Sequence, residues 1–425
     1  MAAARFPELI KAEFGVGREI TLLTTTLYLL GIALGPMIFG PVSEVYGRKS
    51  GVLIPLFISS IFTFATASTY NVASMMICRF FSGFFAGAPI VSSGGVLADL
   101  WNPAERGSAL AVYSLFVAGG VAFGPTISSL LMYAENEQSA WRIPQYFSGL
   151  VSLTLCLLTA YLSQETYEPI VLARLAKHMR IKSGKWSIHA KHDEWKLTTE
   201  EFIHVHLLRP FKMLITPIVA FIVLFASYTY AILYLFITTI ADAFNISRGW
   251  TGTISTLPNF ALFLGICLGC LLQIIGTNDY AKKVAKNDGK AIPEERFSVM
   301  IYTAWLIPVG LFMFGWTSDN SIHWIVPCLG IFLFGVGFLT VFQGNLNYLV
   351  DVYTKYSASA IAANTFARSV AAASFPLFSK QLFENLGIQW GSSLIGFIAL
   401  GMVSIPYFFR RYGAKIRSKS TVKLL

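Results

Sequence analysis

Long apolar runs recur along almost the whole chain and limit what it can fold into. A helix needs about 20 apolar residues to cross a bilayer. Runs of roughly that length lie at about 20–40, 51–70, 72–98, 107–132, 146–163, 213–238, 252–275, 298–316, 324–349, 358–379 and 391–409. Charged residues make up only 13% of the chain, too few to cover a water-soluble fold. The sequence therefore predicts an all-α polytopic membrane protein.

The basic residues between these runs indicate the orientation of the chain. Cytoplasmic loops of membrane proteins are enriched in Lys and Arg. Most basic residues lie in one set of alternate loops: Arg48, Lys49, Arg106, nine in 164–212, five from Lys282 to Arg296, Lys355 and those of the basic tail. The opposite loops carry only Arg142, Arg248 and Lys380. The central stretch and the C-terminus are therefore predicted to be cytoplasmic. No nucleic-acid partner is expected, because the basic residues do not form one soluble face.

A polar stretch divides the chain into two halves. We predict an N-terminal bundle at 1–163, a cytoplasmic central loop at 164–208, a C-terminal bundle at 209–409 and a cytoplasmic basic tail at 410–425. Strict alternation of eleven spans places Met1 outside, although no signal peptide begins there. The simplest hypothesis is that the first of twelve spans is missing, so that each complete half has six.

A weak internal repeat relates the two halves. When Pro125 is aligned with Pro376, Asp99 and Asp351 fall within one residue of the same place. Each aspartate then directly precedes a span, which is the pattern expected of two related bundles.

The segment GPVSEVYGRK at 40–49 resembles the signature loop of the major facilitator superfamily, with Glu44 where the family usually has Asp. Gly40 allows close approach of a helix and Gly47 permits a tight turn. Arg48 and Lys49 are expected to hold the loop inside the cell. Glu44 and Arg48 lie one helical turn apart, so we expect them to pair with each other and with Asp99.

Two further motifs resemble those of this superfamily. Arg79 opens the segment RFFSGFFAG, and in the family this arginine is linked to proton coupling; snorkelling towards the outer surface is the alternative. Gly120, Gly124 and Pro125 match the antiporter motif, which in the family marks exporters. The two glycines are expected to form a face for tight helix contact, and simple packing is the alternative reading.

Shorter stretches along nearly the whole chain resemble fungal drug and polyamine exporters; they include 99–101, 165–167, 209–211, 348–351 and 362–369. The resemblance implies two six-helix bundles, a plasma-membrane location and export of small organic molecules, such as drugs or polyamines, in exchange for protons. A monomer without a cofactor is expected. The alternatives are an importer or facilitator of a nutrient and, from another class, a transport-inactive sensor or a truncated fragment.

Polar and aromatic residues inside the spans are the candidates for substrate contact: Tyr113, Tyr228, Tyr230, Tyr234, Gln343, Asn347, Asn364 and Arg368. The aromatic rings are expected to hold an organic cation by cation–π attraction, and the amides to orient it. No carboxylate lies deep in a predicted span. The candidates for a proton carrier are therefore Glu44, Asp99 or a residue of the missing span.

Other chemistry is not predicted. The spacing His189-x2-His192 lacks the further ligands of a zinc site, so we predict a solvated linker and no metal. Cys267 and Cys270 lie one turn apart in an apolar run, where packing is favoured over redox chemistry. With no phosphate-binding loop and no pair of nucleophile and base, an enzyme is not expected.

The Arg79→Ala substitution is expected to abolish proton-driven efflux while the protein remains in the membrane, because a buried cation biases the protonation of neighbouring sites. Arg79→Lys should restore only part of the activity, since an ammonium lacks the forked hydrogen bonds of guanidinium. Dye efflux, normalised to the surface level of a tagged protein, measures both effects. Normal efflux by well-expressed Arg79→Ala would exclude the coupling role.

Overall fold

The computed structural model describes residues 9–102, 105–133, 138–190, 208–288, 292–353 and 357–419. Its principal α-helices, numbered here along the chain, are α1 (Arg18–Tyr46), α2 (Arg48–Ala67), α3 (Val72–Leu100), α4 (Arg106–Tyr133), α5 (Arg142–Leu162), α6 (Glu168–Ser183), α7 (Leu208–Ile215), α8 (Pro217–Arg248), α9 (Asn259–Lys286), α10 (Phe297–Thr303), α11 (Leu306–Thr317), α12 (Ile325–Val352), α13 (Ser357–Met402) and α14 (Ser404–Lys419). The described residues contain no β-strand.

Ten helical stretches in the described part of the chain are long and apolar enough to cross a membrane. The last of them, Ser359–Gly413, has 55 residues. At about 1.5 Å per residue it would measure roughly 80 Å, far more than the ~30 Å hydrocarbon core. Gly387 breaks it with a positive φ of 69°, so that the predicted spans 358–379 and 391–409 lie on either side of the break. The prediction of an all-α polytopic fold is confirmed.

Glycines set the distance between α1 and α3 in the first half. A Cβ atom added at Gly35 would lie 2.1 Å from the carbonyl oxygen of Phe84, and one at Gly83 would lie 2.1 Å from that of Tyr28. Gly31 and Gly87 face the opposite helix in the same way. Small residues four apart allow membrane helices to approach at backbone distance, which is the main source of their attraction in lipid.

The second half repeats this arrangement between α9 and α12. A Cβ atom at Gly265 would lie 2.1 Å from the carbonyl oxygen of Phe332, and one at Gly335 would lie 2.6 Å from that of Leu262. Cys270 is buried in the same core and Cys267 is partly buried, and both are free thiols. This placement fits the packing interpretation of the C-x-x-C spacing.

Two helix pairs make most of the contacts between the halves: α1 with α13, and α4 with α9. In the first pair the Thr26 hydroxyl donates to the carbonyl oxygen of Ala373 at 3.3 Å. In the second pair the rings of Phe123 and Phe263 lie 4.3 Å apart between centroids. Because these contacts lie along the two sides, a cavity remains between the bundles.

One expectation from the sequence does not agree with the structure. Within the described residues, a Cβ atom added at Gly120 or Gly124 would meet no heavy atom within 4 Å, so these glycines do not form the predicted tight contact. The neighbouring Gly119 instead faces Phe263. The predicted central loop contains the helix α6, and the part of it at 191–207, like tail residues 420–425, lies outside the described residues.

Gly35→Ala is expected to destabilise the protein by about 1–3 kcal/mol, because its new methyl group would overlap the α3 backbone. The matched control is Gly124→Ala, which has space for the methyl group and should keep or slightly raise stability. Thermal denaturation of the two proteins in detergent compares them. Equal midpoints for Gly35→Ala and the wild type would contradict the close approach of α1 and α3.

Candidate functional site

The cavity between the two halves has a volume of about 450 Å³, within the usual range for sites that bind small molecules. Its charged lining residues are Glu44, Arg48, Asp99 and Arg106 from the first half and Asp351 and Arg368 from the second. All except Arg368 lie at the helix ends on the basic side of the protein, and they form the mouth of the cavity. Arg368 lies eleven residues into α13, about 16 Å deeper along the helix.

Arg48 is the centre of the charged group in the first half. Its Nε lies 3.1 Å from Asp99 Oδ2, and its guanidinium donates to the Ser43 hydroxyl at 2.9 Å. The Glu44 carboxylate lies 4.0 Å away, one helical turn before Arg48. The structure thus brings together the three charges that the signature loop was expected to pair.

Two neutral neighbours accommodate the Arg48 side chain. A Cβ atom at Gly95 would lie 2.6 Å from its guanidinium carbon, so only glycine leaves room there. On the other side the guanidinium lies 4.9 Å from the ring centroid of Tyr167. Burial, followed by the negative charge of Glu44, raises the pKa of Tyr167, so it stays a neutral phenol. Its ring face can therefore stabilise the cation of Arg48.

Glu165 caps the N-terminus of α2 from a distant part of the chain. Its carboxylate accepts hydrogen bonds from the backbone N–H groups of Arg48 at 2.8 Å and Lys49 at 3.2 Å. These groups have no partner within the helix, and the positive end of the helix dipole favours the negative charge. Gly47 has a φ of 97°, and a Cβ atom there would lie 2.3 Å from Glu165 Oε2. The Lys49 ammonium donates to the Ala160 carbonyl oxygen at 2.9 Å.

The second half contains a corresponding pair. Arg296 Nε lies 2.7 Å from Asp351 Oδ2, and the two side chains are only 5% and 6% exposed. Tyr280 donates its hydroxyl to the same carboxylate oxygen at 2.9 Å, and its ring centroid lies 3.6 Å from the guanidinium of Arg296. The aspartates aligned by the internal repeat, Asp99 and Asp351, therefore each pair with an arginine.

Arg106 and Gly107 connect the two charged groups. Arg106 interacts electrostatically with Asp351, Arg296 and Asp99, so it lies between the halves. A Cβ atom at Gly107 would lie 2.8 Å from an Arg296 nitrogen. The start of α4 is thus packed against the second half at the mouth of the cavity.

The inner part of the cavity contains Arg368 among aromatic rings. Its guanidinium carbon lies 5.0 Å from the ring centroid of Tyr230 and 4.9 Å from that of Phe342. The ring of Tyr234 lies 5.4 Å from that of Tyr230 between centroids, and Tyr234 interacts electrostatically with Arg368. Tyr113 lines the cavity and donates its hydroxyl to the Ile90 carbonyl oxygen at 3.1 Å.

Buried amides extend this polar region. Gln343 is fully buried and accepts a hydrogen bond of 2.6 Å from Ser114, which joins the two halves. Asn364 is also fully buried, and its side-chain atoms have no hydrogen-bond partner among the described residues. Asn347 lies on α12 and is 5% exposed. Buried amides in a membrane bundle usually face a polar site.

Of the eight residues predicted to contact substrate, Tyr113 and Arg368 line the cavity and the other six do not. Arg79 and Gly40 do not line it either. Tyr228 donates its hydroxyl to the Ile395 carbonyl oxygen at 2.7 Å, so it joins α8 to α13. Arg79 interacts with Tyr28 on α1. Gly40 faces Val91, which a Cβ atom would approach to 3.4 Å, an ordinary contact.

Sequence reasoning missed several residues of functional interest. Thr365 lines the cavity beside Arg368, but a single threonine in an apolar run gives no signal. Asp242 lies beyond the predicted span, yet α8 continues to Arg248 and places it in a helix beside a second cavity. Among the described residues, no group of three or more His, Cys, Asp or Glu side chains could hold a metal ion; His192 lies outside them.

Two helical bundles that enclose a polar cavity, in a chain with many membrane spans, define a membrane transporter. The family model described as "Major Facilitator Superfamily" matches residues 1–376. The chain belongs to the major facilitator superfamily.

Similar proteins of known sequence include two transporters from fungi. The chain is 38% identical to the efflux pump bik6 of Gibberella fujikuroi, over 96% of this chain and 84% of that protein. It is 37% identical to the multidrug transporter FLU1 of Candida albicans, over 96% of this chain and 67% of that protein.

Solved structures share the fold at low sequence identity. The human organic anion transporter MFSD10 gives a TM-score of 0.62 at 16% identity, over 96% of this chain and 89% of that one. The xylose transporter XylE from E. coli, in a partially occluded inward-open conformation, gives 0.61 at 14% identity, over 97% and 93%.

Glu165→Ala is expected to destabilise the protein by about 0.5–2 kcal/mol, the usual effect of losing a helix cap. The matched control is Asp279→Ala, which removes an exposed carboxylate from inside α9, beside its exposed partner Lys282. Thermal denaturation in detergent should show a lower midpoint for Glu165→Ala alone. Equal midpoints for the two variants would contradict the capping role.

Proposed function

We propose that this transporter exports small organic molecules from the cytoplasm in exchange for protons. The observation that carries the proposal is the cavity between the bundles, whose mouth lies among the charged helix ends on the basic side. Because basic loops usually face the cytoplasm, a solute would enter this cavity from inside the cell. The identity of 37–38% to fungal proteins named as an efflux pump and a multidrug transporter supports the same direction.

The proposed proton pathway uses the charged groups at the mouth together with Arg79. Glu44 and Asp99 both lie close to Arg48, so protonation of either carboxylate would weaken an ion pair of the first half. Loss of the ion pair between Asp99 and Arg48 would release α3 from the start of α2. Arg79 interacts with Tyr28, and Tyr28 interacts with Tyr230 in the other half. A change of charge near Arg79 can therefore act electrostatically on the rings beside Arg368, which lines the cavity.

We also propose an orientation, an oligomeric state and a cellular membrane for the protein. The basic loops support a cytoplasmic C-terminus, and the whole cavity is formed by a single chain, which supports function as a monomer. We assign the protein to the plasma membrane, where an exporter of drugs or polyamines would release its substrates. Gly120, Gly124 and Pro125 remain candidates for the determinant of antiport, with open space rather than tight contact beside the glycines.

Inside-out vesicles with an acidic lumen test this function. An exporter driven by protons should accumulate fluorescent drugs in the lumen, and a protonophore should abolish the accumulation. Vesicles from cells that lack the protein are the control. If the drugs accumulate only when the bath is more acidic than the lumen, the protein is an importer instead. If the accumulation does not depend on the proton gradient, proton coupling is contradicted.

A further inference from the structure

We propose that the substrate is an organic anion, and that Arg368 binds its acidic group with help from Thr365. The proposal deepens the function given above and rests on it, because it concerns the same cavity. It differs from the expectation that the aromatic residues hold an organic cation.

Among the described residues, the buried cation of Arg368 has no partner anion. Arg368 is only 4% exposed, and its Nε has no hydrogen-bond partner among the described residues. In that part of the chain no carboxylate pairs with it, and the ring faces of Tyr230 and Phe342 are its close charge-stabilising contacts. A charge in such a position is unfavourable unless an anion compensates it. The bound substrate can supply that anion.

The remaining charges of the cavity compensate one another. At the mouth, Glu44, Asp99 and Asp351 line the cavity together with Arg48 and Arg106. Arg296 does not line the cavity itself, but it pairs with Asp351. Three negative and three positive charges therefore cancel there. The inner part is left with the positive charge of Arg368. Arg79, which interacts with Tyr28 near the same rings, adds positive charge to this region.

A second hydrogen-bond donor lies on the same face of α13. Thr365 precedes Arg368 by three residues, so the two side chains are neighbours on the helix surface. Thr365 is 1% exposed, lines the cavity, and its hydroxyl has no hydrogen-bond partner among the described residues. A carboxylate has two oxygens, which suit one guanidinium N–H and one hydroxyl donor. This arrangement recognises an oxyanion.

The rest of the inner lining is apolar and partly aromatic. Val117, Phe342 and Leu346 line the cavity together with the ring of Tyr113. These side chains suit a flat, apolar molecule that carries one acidic group. A cationic substrate is disfavoured for two reasons. The ring face of Tyr230 is already occupied by the guanidinium of Arg368, and like charges repel strongly where water is scarce.

Two dyes with related ring systems and opposite charges test the proposal. Fluorescein is an anion at neutral pH and rhodamine 6G is a cation. Fluorescence anisotropy measures the binding of each dye to the purified protein, and inside-out vesicles with an acidic lumen measure transport. Arg368→Gln removes the charge, Arg368→Lys keeps it, and Arg411→Gln removes the same charge from an exposed position on α14 as the control.

The wild type should bind fluorescein more tightly than rhodamine 6G. Arg368→Gln should weaken fluorescein binding by about thirtyfold or more, as expected for loss of one partner of a buried charge pair. Arg368→Lys should retain part of the affinity, and Arg411→Gln all of it. Thr365→Val should weaken fluorescein binding by a smaller factor. Gel filtration and the denaturation midpoint establish that each variant is folded.

Tighter binding of rhodamine 6G, or equal fluorescein affinity in the wild type and Arg368→Gln, would overturn the proposal. The two proposals fail in different ways. Gradient-driven transport of the cation alone would leave export standing and refute the anion site. Fluorescein binding that depends on Arg368, without any gradient-driven transport, would support the anion site and refute proton-coupled export.

Discussion

A helix in lipid must satisfy its own backbone hydrogen bonds and must find its neighbours without help from the hydrophobic effect, because lipid tails are as apolar as its side chains. Close contact between helix backbones is therefore the main attraction that holds the helices together in lipid. The glycines that face α3 from α1, and those between α9 and α12, provide it in each half. Two tightly packed bundles result. Polar side chains that cannot face lipid are then confined to the space between them.

The placement of charge follows from the same constraint. Arg48 and Arg296 each lie at a helix end with an aspartate beside them, where the mouth of the cavity is near water. Arg106 reaches the charges of both halves, so the two groups respond to each other. Deeper in the cavity, ring faces contact Arg368, and no carboxylate in the described part of the chain pairs with it. If the solute supplies the anion that compensates Arg368, the charge of the site differs between the empty and the loaded transporter. A transporter needs such a difference between its two states.

The sequence was most informative where chemistry and spacing coincide. The apolar runs predicted the spans, because length and hydropathy are sufficient for that purpose. The i,i+4 spacing of Glu44 and Arg48 brought these residues together as expected.

Contacts between distant segments could not be predicted. The carboxylate of Glu165 lies against Gly47, more than a hundred residues earlier, and only the fold brings them together. The spacing of Gly120 and Gly124 suggested a contact face, but the helix turns both residues towards open space. The structure places the guanidinium of Arg368 over the ring of Tyr230, a contact between distant segments that the sequence does not indicate.

The central claim is that the solute pathway is the cavity between the bundles, open on the basic side. The most direct measurement is the labelling rate of single cysteines by a membrane-impermeant maleimide, in a chain whose five native cysteines are replaced. Val117 lines the cavity, whereas Leu155 lies inside α5 and is 53% exposed. Val117→Cys should react with reagent added from the side of Arg48 and Arg296, and Leu155→Cys should not react from either side, because a thiolate does not form in lipid. Equal labelling of the two cysteines, or labelling of Val117→Cys only from the opposite side, would contradict the account.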